Sequence, residues 1–298
     1  MSVSDSWFKA GEIAHRILNK ARNEVKPNVR LIEICEKIEN MIRAENAKPA
    51  FPVNISINEV AAHYTSPPGD KAVIPDKCIV KLDIGVLLDD GAIADTAITI
   101  DIGVSKKIRD LVDATRDVLD EAINHVKAGV RVGTLGEIIW KKAHERGFGV
   151  LTDLGGHSIE KWNLHSGITI PNIPKMFSPK LKENMIIAIE PFLISYEKDS
   201  VTNPDMSNIH IFSIIKHRQN KVLEKLYELF RGMPFSLRWI SKARQDPIFR
   251  QKLKSILIEE AYRGNVRAYP VLIESNRRWV AQFEHTVLVK ANSAEILT

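Results

Sequence analysis

Apolar residues recur along this chain at two spacings, the three-to-four interval of an amphipathic helix and the alternation of a half-buried strand. Phe8, Ile13, Ile17 and Leu18 predict a helix over 5–25, opened by the polar Ser4-Asp5-Ser6. Leu31, Ile34, Ile38 and Met41 predict a second over 29–43, with Pro27 as the break between them. A strand over 50–58 and a Pro67-Pro68-Gly69-Asp70 turn come next. Two alternating runs flanking Asp89-Asp90-Gly91 predict a β-hairpin over 79–101. A turn centred at Asp89 sets Asp83 opposite Asp95, ~5 Å apart at Cβ. A broad stripe of Ile108, Leu111, Val112, Val118, Leu119 and Ile123 predicts a helix from Ser105 to Lys127. Another runs from Thr134 to Arg146 and stops at Gly147. The Gly-containing stretch 155–173 reads as loop, followed by strands ending at Glu190-Pro191 and over 209–215. Helices followed by strands therefore occur twice, the outline of an internal pseudo-repeat without residue-level periodicity. From His217 the pattern changes to three short helices over 219–230, 235–242 and 247–262, before strands resume at Arg267. This middle segment reads as a helical insertion between two strands of one sheet.

Four acidic residues break the apolar strand runs: Asp83 in Ile79–Val86, Asp95 in Ala92–Ile100, Glu190 in Met185–Phe192 and Glu284 in Val280–Val289. Burying an ionised carboxylate costs several kcal/mol or more unless a positive group offsets it. No Arg or Lys recurs with each of the four, so a shared divalent cation is the economical explanation. Strand alternation tests each one. Asp95 and Glu190 have apolar same-face neighbours, Ile93 and Ala97 for the first, Ala188 and Phe192 for the second. Asp83 shares its face with Lys81 and Gly85, which a polar outer face would equally explain. Two histidines, His157 and His165, lie eight residues apart in the Gly-containing stretch. Several carboxylates with one imidazole suit Mn(II), Fe(II), Co(II) or Zn(II), and exclude Ca(II) or an all-sulfur site. Enough carboxylates to bridge point to two ions, roughly 3.5–4 Å apart.

Composition sets the remaining bounds. With 298 residues, 44% apolar and 27% charged, the chain can bury a large core. Its apolar runs are strand length, short of the roughly 20 residues of a membrane span, and no basic-then-apolar leader is expected. Cys35 and Cys78 read as reduced core thiols of a cytoplasmic protein. The net charge of +5 is uneven: 216–267 carries thirteen Lys/Arg against five Asp/Glu, a surplus of eight, leaving −3 elsewhere. That segment reads as solvated helix faces or as a surface for an anionic partner such as a ribosome.

Taken in order, Ser56–Thr65 (with Ala61-Ala62-His63), Lys81-Leu82-Asp83-Ile84-Gly85, Ile93-Ala94-Asp95-Thr96-Ala97, Gly156-His157-Ser158-Ile159, Leu164-His165-Ser166-Gly167, Ala188-Ile189-Glu190-Pro191-Phe192 and Ala281-Gln282-Phe283-Glu284-His285-Thr286 resemble the methionine aminopeptidases, in the type 2 form found in archaea. The resemblance runs from Ala50 to Val289. It implies an α+β pita-bread fold: a curved antiparallel sheet with outer helices, in two pseudo-symmetric halves, with the metals between them. On that basis 1–215 and 269–298 would form the catalytic domain and 216–268 a helical, winged-helix-like insertion. The same resemblance implies five metal ligands, Asp83, Asp95, His157, Glu190 and Glu284, holding two divalent ions (Co, Mn, Fe or Zn). It makes His63 and His165 substrate-contacting histidines, and lets Glu190 also shuttle a proton. Phe51, Leu164 and Tyr269 fall where relatives line the methionine side-chain pocket. The activity implied is removal of an N-terminal methionine from peptides and nascent chains with a small second residue, by hydrolysis with a metal-activated hydroxide, in a monomer with no membrane partner. Two departures stand out. Asp83 and Asp95 are twelve residues apart, one more than the family pattern, an excess that fits in the Asp89-Asp90 turn. After Phe192 the expected glycine-containing stretch is replaced by Leu193–Asp199, so the pattern does not define the rim over 195–205. Two rivals remain, an Xaa-Pro peptidase on the same fold and a metal-free binding module.

Overall fold

Alternation along two long strands fixes the architecture. In the computed structural model, which describes residues 5–217 and 220–298, Cys78–Leu87 and Ile93–Ile102 form an antiparallel hairpin. Its even-numbered residues Val80, Leu82, Ile84 and Val86 pack in a core with helices α1 (Asp5–Ala21) and α2 (Leu31–Ala44). Its odd-numbered residues Asp83, Asp95 and Ala97 are left to the other face. The hairpin joins a nine-stranded sheet in the order 48–49, 78–87, 93–102, 284–289, 186–189, 155–159, 169–171, with 54–57 and 294–296 paired on its sides. Every pairing in it is antiparallel.

Helices α3 (Lys106–Asn124) and α4 (Val132–Glu145) cover the second half of the sheet. Leu111, Val118, Leu135 and Ile139 pack there against Ile187, Ile189, Val287 and Val289. Each helix pair thus covers its own half, and the halves meet where Ile93–Ile102 pairs with Glu284–Val289. A separate four-stranded sheet is formed by Phe235–Ser236, Thr202–Ile214, Val266–Glu274 and Val60–Ala62. Helices α5 (Lys221–Phe230), α6 (Ser241–Gln245) and α7 (Pro247–Tyr262) pack on it. Their core is distinct, centred on Phe212, Leu223, Phe235 and Leu257. This unit is tied to the first half by a buried ion pair between Arg238 and Glu39, joined by Trp239 Nε1, which donates to Glu39 Oε2 at 2.7 Å. Among the described residues no helix is long and apolar enough to cross a membrane.

Several sequence expectations need correction. The hairpin turn centres at Asp90, because Asp83 pairs with Ala97 and Asp95 with Gly85. Asp83 and Asp95 are therefore diagonal neighbours on one face, with the extra residue absorbed in the 88–92 turn. The stretch 155–173 is not continuous loop: Gly155–Ile159 and Thr169–Pro171 are strands. Short length and glycines hid them, although sheet pairing supplies what local propensity lacks. The helix expected over 235–242 is a two-residue strand, a 3-10 turn over Leu237–Trp239 and the start of α6. The strand expected over 209–215 is the tail of a longer one, Thr202–Ile214. Ser4 and Gln219, the expected starts of two helices, lie outside the described residues.

Candidate metal centre

Register brings the carboxylates together. Asp83 and Glu284 both pair with Ala97, so Asp83, Ala97 and Glu284 form a row across three strands. His157 and Thr286 likewise flank Ala188. Asp95 lies two residues from Ala97 on the same face, and Glu190 immediately follows the strand of Ala188. Both row centres are alanines, and Ala97 leaves space between the acidic side chains of Asp83 and Glu284. Thr286 fixes the local backbone: its Oγ1 accepts from Asp95 N at 2.7 Å and donates to Asp95 O at 2.8 Å.

The side chains then converge. Ligating atoms of Asp95, His157 and Glu284 all lie within 4.8 Å of one another. His157 Nε2 is 3.6 Å from Asp95 Oδ2 and 3.6 Å from Glu190 Oε1. Glu284 is 1% exposed, Asp95 4% and His157 7%. Asp83 Oδ1, Asp95 Oδ1, His157 Nδ1 and Glu284 Oε1 are buried without a hydrogen-bond partner. Such orphaned atoms cost free energy unless something else satisfies them. Burial, then repulsion from Asp95 and the other acids, drives the carboxyls of Glu190 and Glu284 well above the usual range. Asp83 is raised in the same way, by burial and then by Asp95. Asp95 is also raised by burial, against the opposing pull of His157. Four acids that repel one another around unpaired oxygens fit a divalent cation, which would cancel the charge and fill the empty coordination. The polar-outer-face alternative for Asp83 fails, because Lys81 is fully buried and points elsewhere. Its Nζ donates to Asn58 O at 2.9 Å and to Val280 O at 2.7 Å.

All ten residues singled out in the sequence line one cleft of about 220 Å³. His63 has a left-handed backbone, φ 66°, and its ring meets Tyr269 edge-on at 5.4 Å. Its Nδ1 lies 3.2 Å from Pro270 O. A carbonyl only accepts, so Nδ1 carries the proton and Nε2 is the ring's acceptor. His165 lies 4.3 Å from His157, ring to ring. Its surface opens to solvent in the cleft, yet the walls enclose it densely; burial first, then His157, holds it down to about 3. Burial lowers His63 as well. Both imidazoles are therefore neutral near pH 7. Phe51 is held by a close approach at Gly85, where a Cβ would come within 2.3 Å of its Cε1.

Two amides in the cleft were not singled out as site residues from sequence. Gln282 Nε2 donates to Glu190 Oε2 at 3.3 Å, and its side chain also bonds Asp83. Thr99 Oγ1 anchors it by accepting from Gln282 N and donating to Gln282 O. Asn54 pairs with Asp83 across neighbouring strands. An uncharged amide in a strand carries no electrostatic anomaly, so only its face, shared with the acids, could have flagged it.

Known proteins share this arrangement of chain. The model of metallopeptidase family M24 matches residues 7–291. A curated methionine aminopeptidase of Methanothermobacter thermautotrophicus is 38% identical over 306 residues, spanning 100% of this chain and 99% of its own. Among solved structures, methionine aminopeptidase from Rickettsia prowazekii superposes with a TM-score of 0.70 at 23% identity, covering 98% of this chain and 95% of its own. A thermophilic Arx1 superposes with a TM-score of 0.82 at 16% identity, covering 99% and 91%. At such identities these two show the fold alone.

Proposed function

The chain belongs to metallopeptidase family M24, and on that premise we infer that it is a metal-dependent aminopeptidase that removes the N-terminal methionine of its substrates. The observation carrying the site assignment is the convergence of five ligand-type side chains, with orphaned buried atoms, in a cleft that also holds two neutral histidines. We propose Asp83, Asp95, His157, Glu190 and Glu284 as the ligands of two divalent ions drawn from Co, Mn, Fe and Zn. Bound there, such ions would polarise the first peptide carbonyl and lower the pKa of a water.

The chain's own residues supply the rest. Glu190 takes the proton of the attacking water on a carboxylate oxygen and returns it to the leaving amine. Gln282 holds the Glu190 carboxylate in place while it does so. His165, neutral, donates its N–H to the carbonyl oxygen as negative charge develops there. His63 offers Nε2 as an acceptor to the scissile amide, because Nδ1–H is committed to Pro270 O. Phe51, Leu164 and Tyr269, with Phe192 and Ile211, form the apolar wall for an unbranched methionine side chain. A small second residue completes the substrate.

We also propose that 216–268 is a helical insertion subdomain of a cytoplasmic monomer, with its basic surplus turned toward nascent chains at the ribosome. Ribosome pelleting that is insensitive to salt, or absent, would reject that contact. For the activity, protein loaded with each metal would be given Met-Ala-Ser, Met-Leu-Ser and Ala-Pro-Ser peptides. Release of methionine from the first is expected; faster cleavage of the Ala-Pro peptide would favour the Xaa-Pro rival instead.

A further inference from the structure

A second cavity, of about 380 Å³, lies beside the strand Thr202–Ile214 and is separate from the catalytic cleft. It is lined by His210, Arg250, Lys254, Ser236 and Gln251, with Pro67, Pro68, Pro247 and Leu237 completing the wall. Arg250 and Lys254 are one turn apart on α7, so both project from one helix face. His210 arrives by a different route. A register irregularity over 209–211 inserts it as an extra residue, since Ile209 pairs with Pro270 and Ile211 with Tyr269. Such a bulge re-aims a side chain.

Among the described residues no carboxylate lines this cavity. The nearby acids are engaged elsewhere. Asp70 accepts from Tyr64 Oη at 2.8 Å, Ser66 Oγ at 2.6 Å and Ala72 N at 2.9 Å. Asp246 caps α7, accepting from Ile248 N at 2.9 Å and Phe249 N at 3.0 Å. Asp205, partly exposed and, like Asp70, in electrostatic reach of His210, accepts from Ser207 Oγ at 2.6 Å. Arg250 Nη1 donates to Ala243 O at 3.2 Å and to Arg244 O at 3.4 Å, which leaves Nε and Nη2 for a ligand. Among the described residues Lys254 has no hydrogen bond and no ion pair, although it is half-buried. By contrast Arg238, Arg244 and Arg263 of the same unit each meet a carboxylate. Burial, followed by the charge of Lys254, pushes the His210 imidazole down to about 4, and burial lowers Lys254 too. Two cations without an ion-pair partner beside a cavity are the inverse of the catalytic cleft, and the partner they call for has the opposite sign.

We propose that this cavity binds a small phosphate-type dianion, free phosphate or a phosphate monoester, held by Lys254 and Arg250 with the Ser236 hydroxyl as a further donor. Geometry favours phosphate chemistry: a guanidinium fork and an ammonium on one helix face are a matched pair for a tetrahedral oxyanion. The apolar walls of Pro67, Pro68 and Leu237 add room for the organic part of a monoester.

The test is calorimetric titration of the metal-loaded protein with inorganic phosphate and, separately, with glycerol 3-phosphate, at low and high salt. Saturable binding is expected. It should weaken about tenfold or more in Lys254→Met and in Arg250→Met, the effect of losing a charge-assisted bond. Lys252→Met, which removes an exposed lysine of the same helix, should leave it unchanged. Unaltered thermal midpoints without ligand and unaltered peptide turnover would show that the variants are folded. Tighter binding of the ester would identify a monoester as the occupant, and equal binding free phosphate. The proposal is overturned by absence of saturable binding up to roughly 10 mM. It is equally overturned by phosphate binding that survives Lys254→Met and disappears on metal removal, which would place the anion at the metals.

Discussion

Replacing Glu284 by Gln should flatten the pH dependence of the metal-free protein's stability. Glu284 is 1% exposed, and its carboxyl is raised well above the usual range by burial and then by Asp95, Glu190 and Asp83. An acid whose folded pKa is raised keeps a proton that the unfolded chain has lost. Its contribution to stability therefore falls as pH climbs above the unfolded value of about 4.3, and keeps falling until the folded pKa is reached. While the unfolded chain is ionised and the folded carboxyl still protonated, the slope approaches about 1.4 kcal/mol per pH unit for one carboxyl. Coulomb repulsion is large enough to sustain this. Ligating oxygens of Asp95 and Glu284 lie within 4.8 Å, which at an effective dielectric of about 20 gives at least about 3.5 kcal/mol between two ionised groups. Glutamine has no proton to release, so this part of the slope vanishes in the variant. The lowered histidines, His63, His165, His210 and His285, act in the opposite direction. Their stability contribution rises with pH up to about 6.5, but it is common to both proteins and cancels in the difference. Denaturant titration of chelator-treated protein, with metal content checked, would read it. The variant should gain on the wild type as pH rises above 5, by up to about 1.4 kcal/mol per pH unit, equivalent to roughly 2 °C in midpoint per unit for a chain of this length. Metal-loaded wild type should lose its share of the slope. Parallel wild-type and variant curves without metal would refute the reasoning, because Glu284 would then be ionised in the fold without a cation.

Other expectations concern catalysis. Glu190→Gln, compared at matched metal content, should lower turnover of a Met-Ala-Ser peptide by about 100-fold or more; near-wild-type hydrolysis would remove the proton shuttle from Glu190. His165→Ala should keep its metal and lose about 100-fold in kcat, whereas loss of metal would mean that the roles of His157 and His165 are exchanged. Because the His165 imidazole is held down to about 3, the acidic limb of the metal-loaded kcat profile should be unchanged in His165→Asn. Gly85→Val should push Phe51 out of the cleft wall, since even a Cβ would reach within 2.3 Å of the ring; KM for methionyl peptides should rise more than kcat falls.

Charge anomalies made the centre legible, and sheet register explains what they left open. Asp95 and Glu190 stood out because an acid among apolar same-face neighbours conflicts with burial, and Glu284 because it interrupts an apolar run; each is in the cleft. Asp83 was ambiguous for a specific reason. Lys81 on the same face imitates a solvated surface, and only the fold reveals that its ammonium is spent on the carbonyls of Asn58 and Val280. The second of these carbonyls is 199 residues away, beyond any local pattern. The hairpin register failed by a small margin: a turn centred one residue later moves the cross-strand partner of Asp83 from Asp95 to Ala97. That slip matters chemically. Directly opposed carboxylates would crowd one position, whereas the diagonal arrangement places an alanine between Asp83 and Glu284 and leaves space for ions. Apart from the one expected over 235–242, helices were read within a few residues of their ends, because their apolar stripes are local. The strands around His157 were not, since they are short and owe their existence to pairing with Ile186–Ile189 and Thr169–Pro171. Gln282 shows the remaining gap. Its amide aligns Glu190 and Asp83, but a neutral side chain in a strand violates nothing, so no burial argument from sequence could have singled it out.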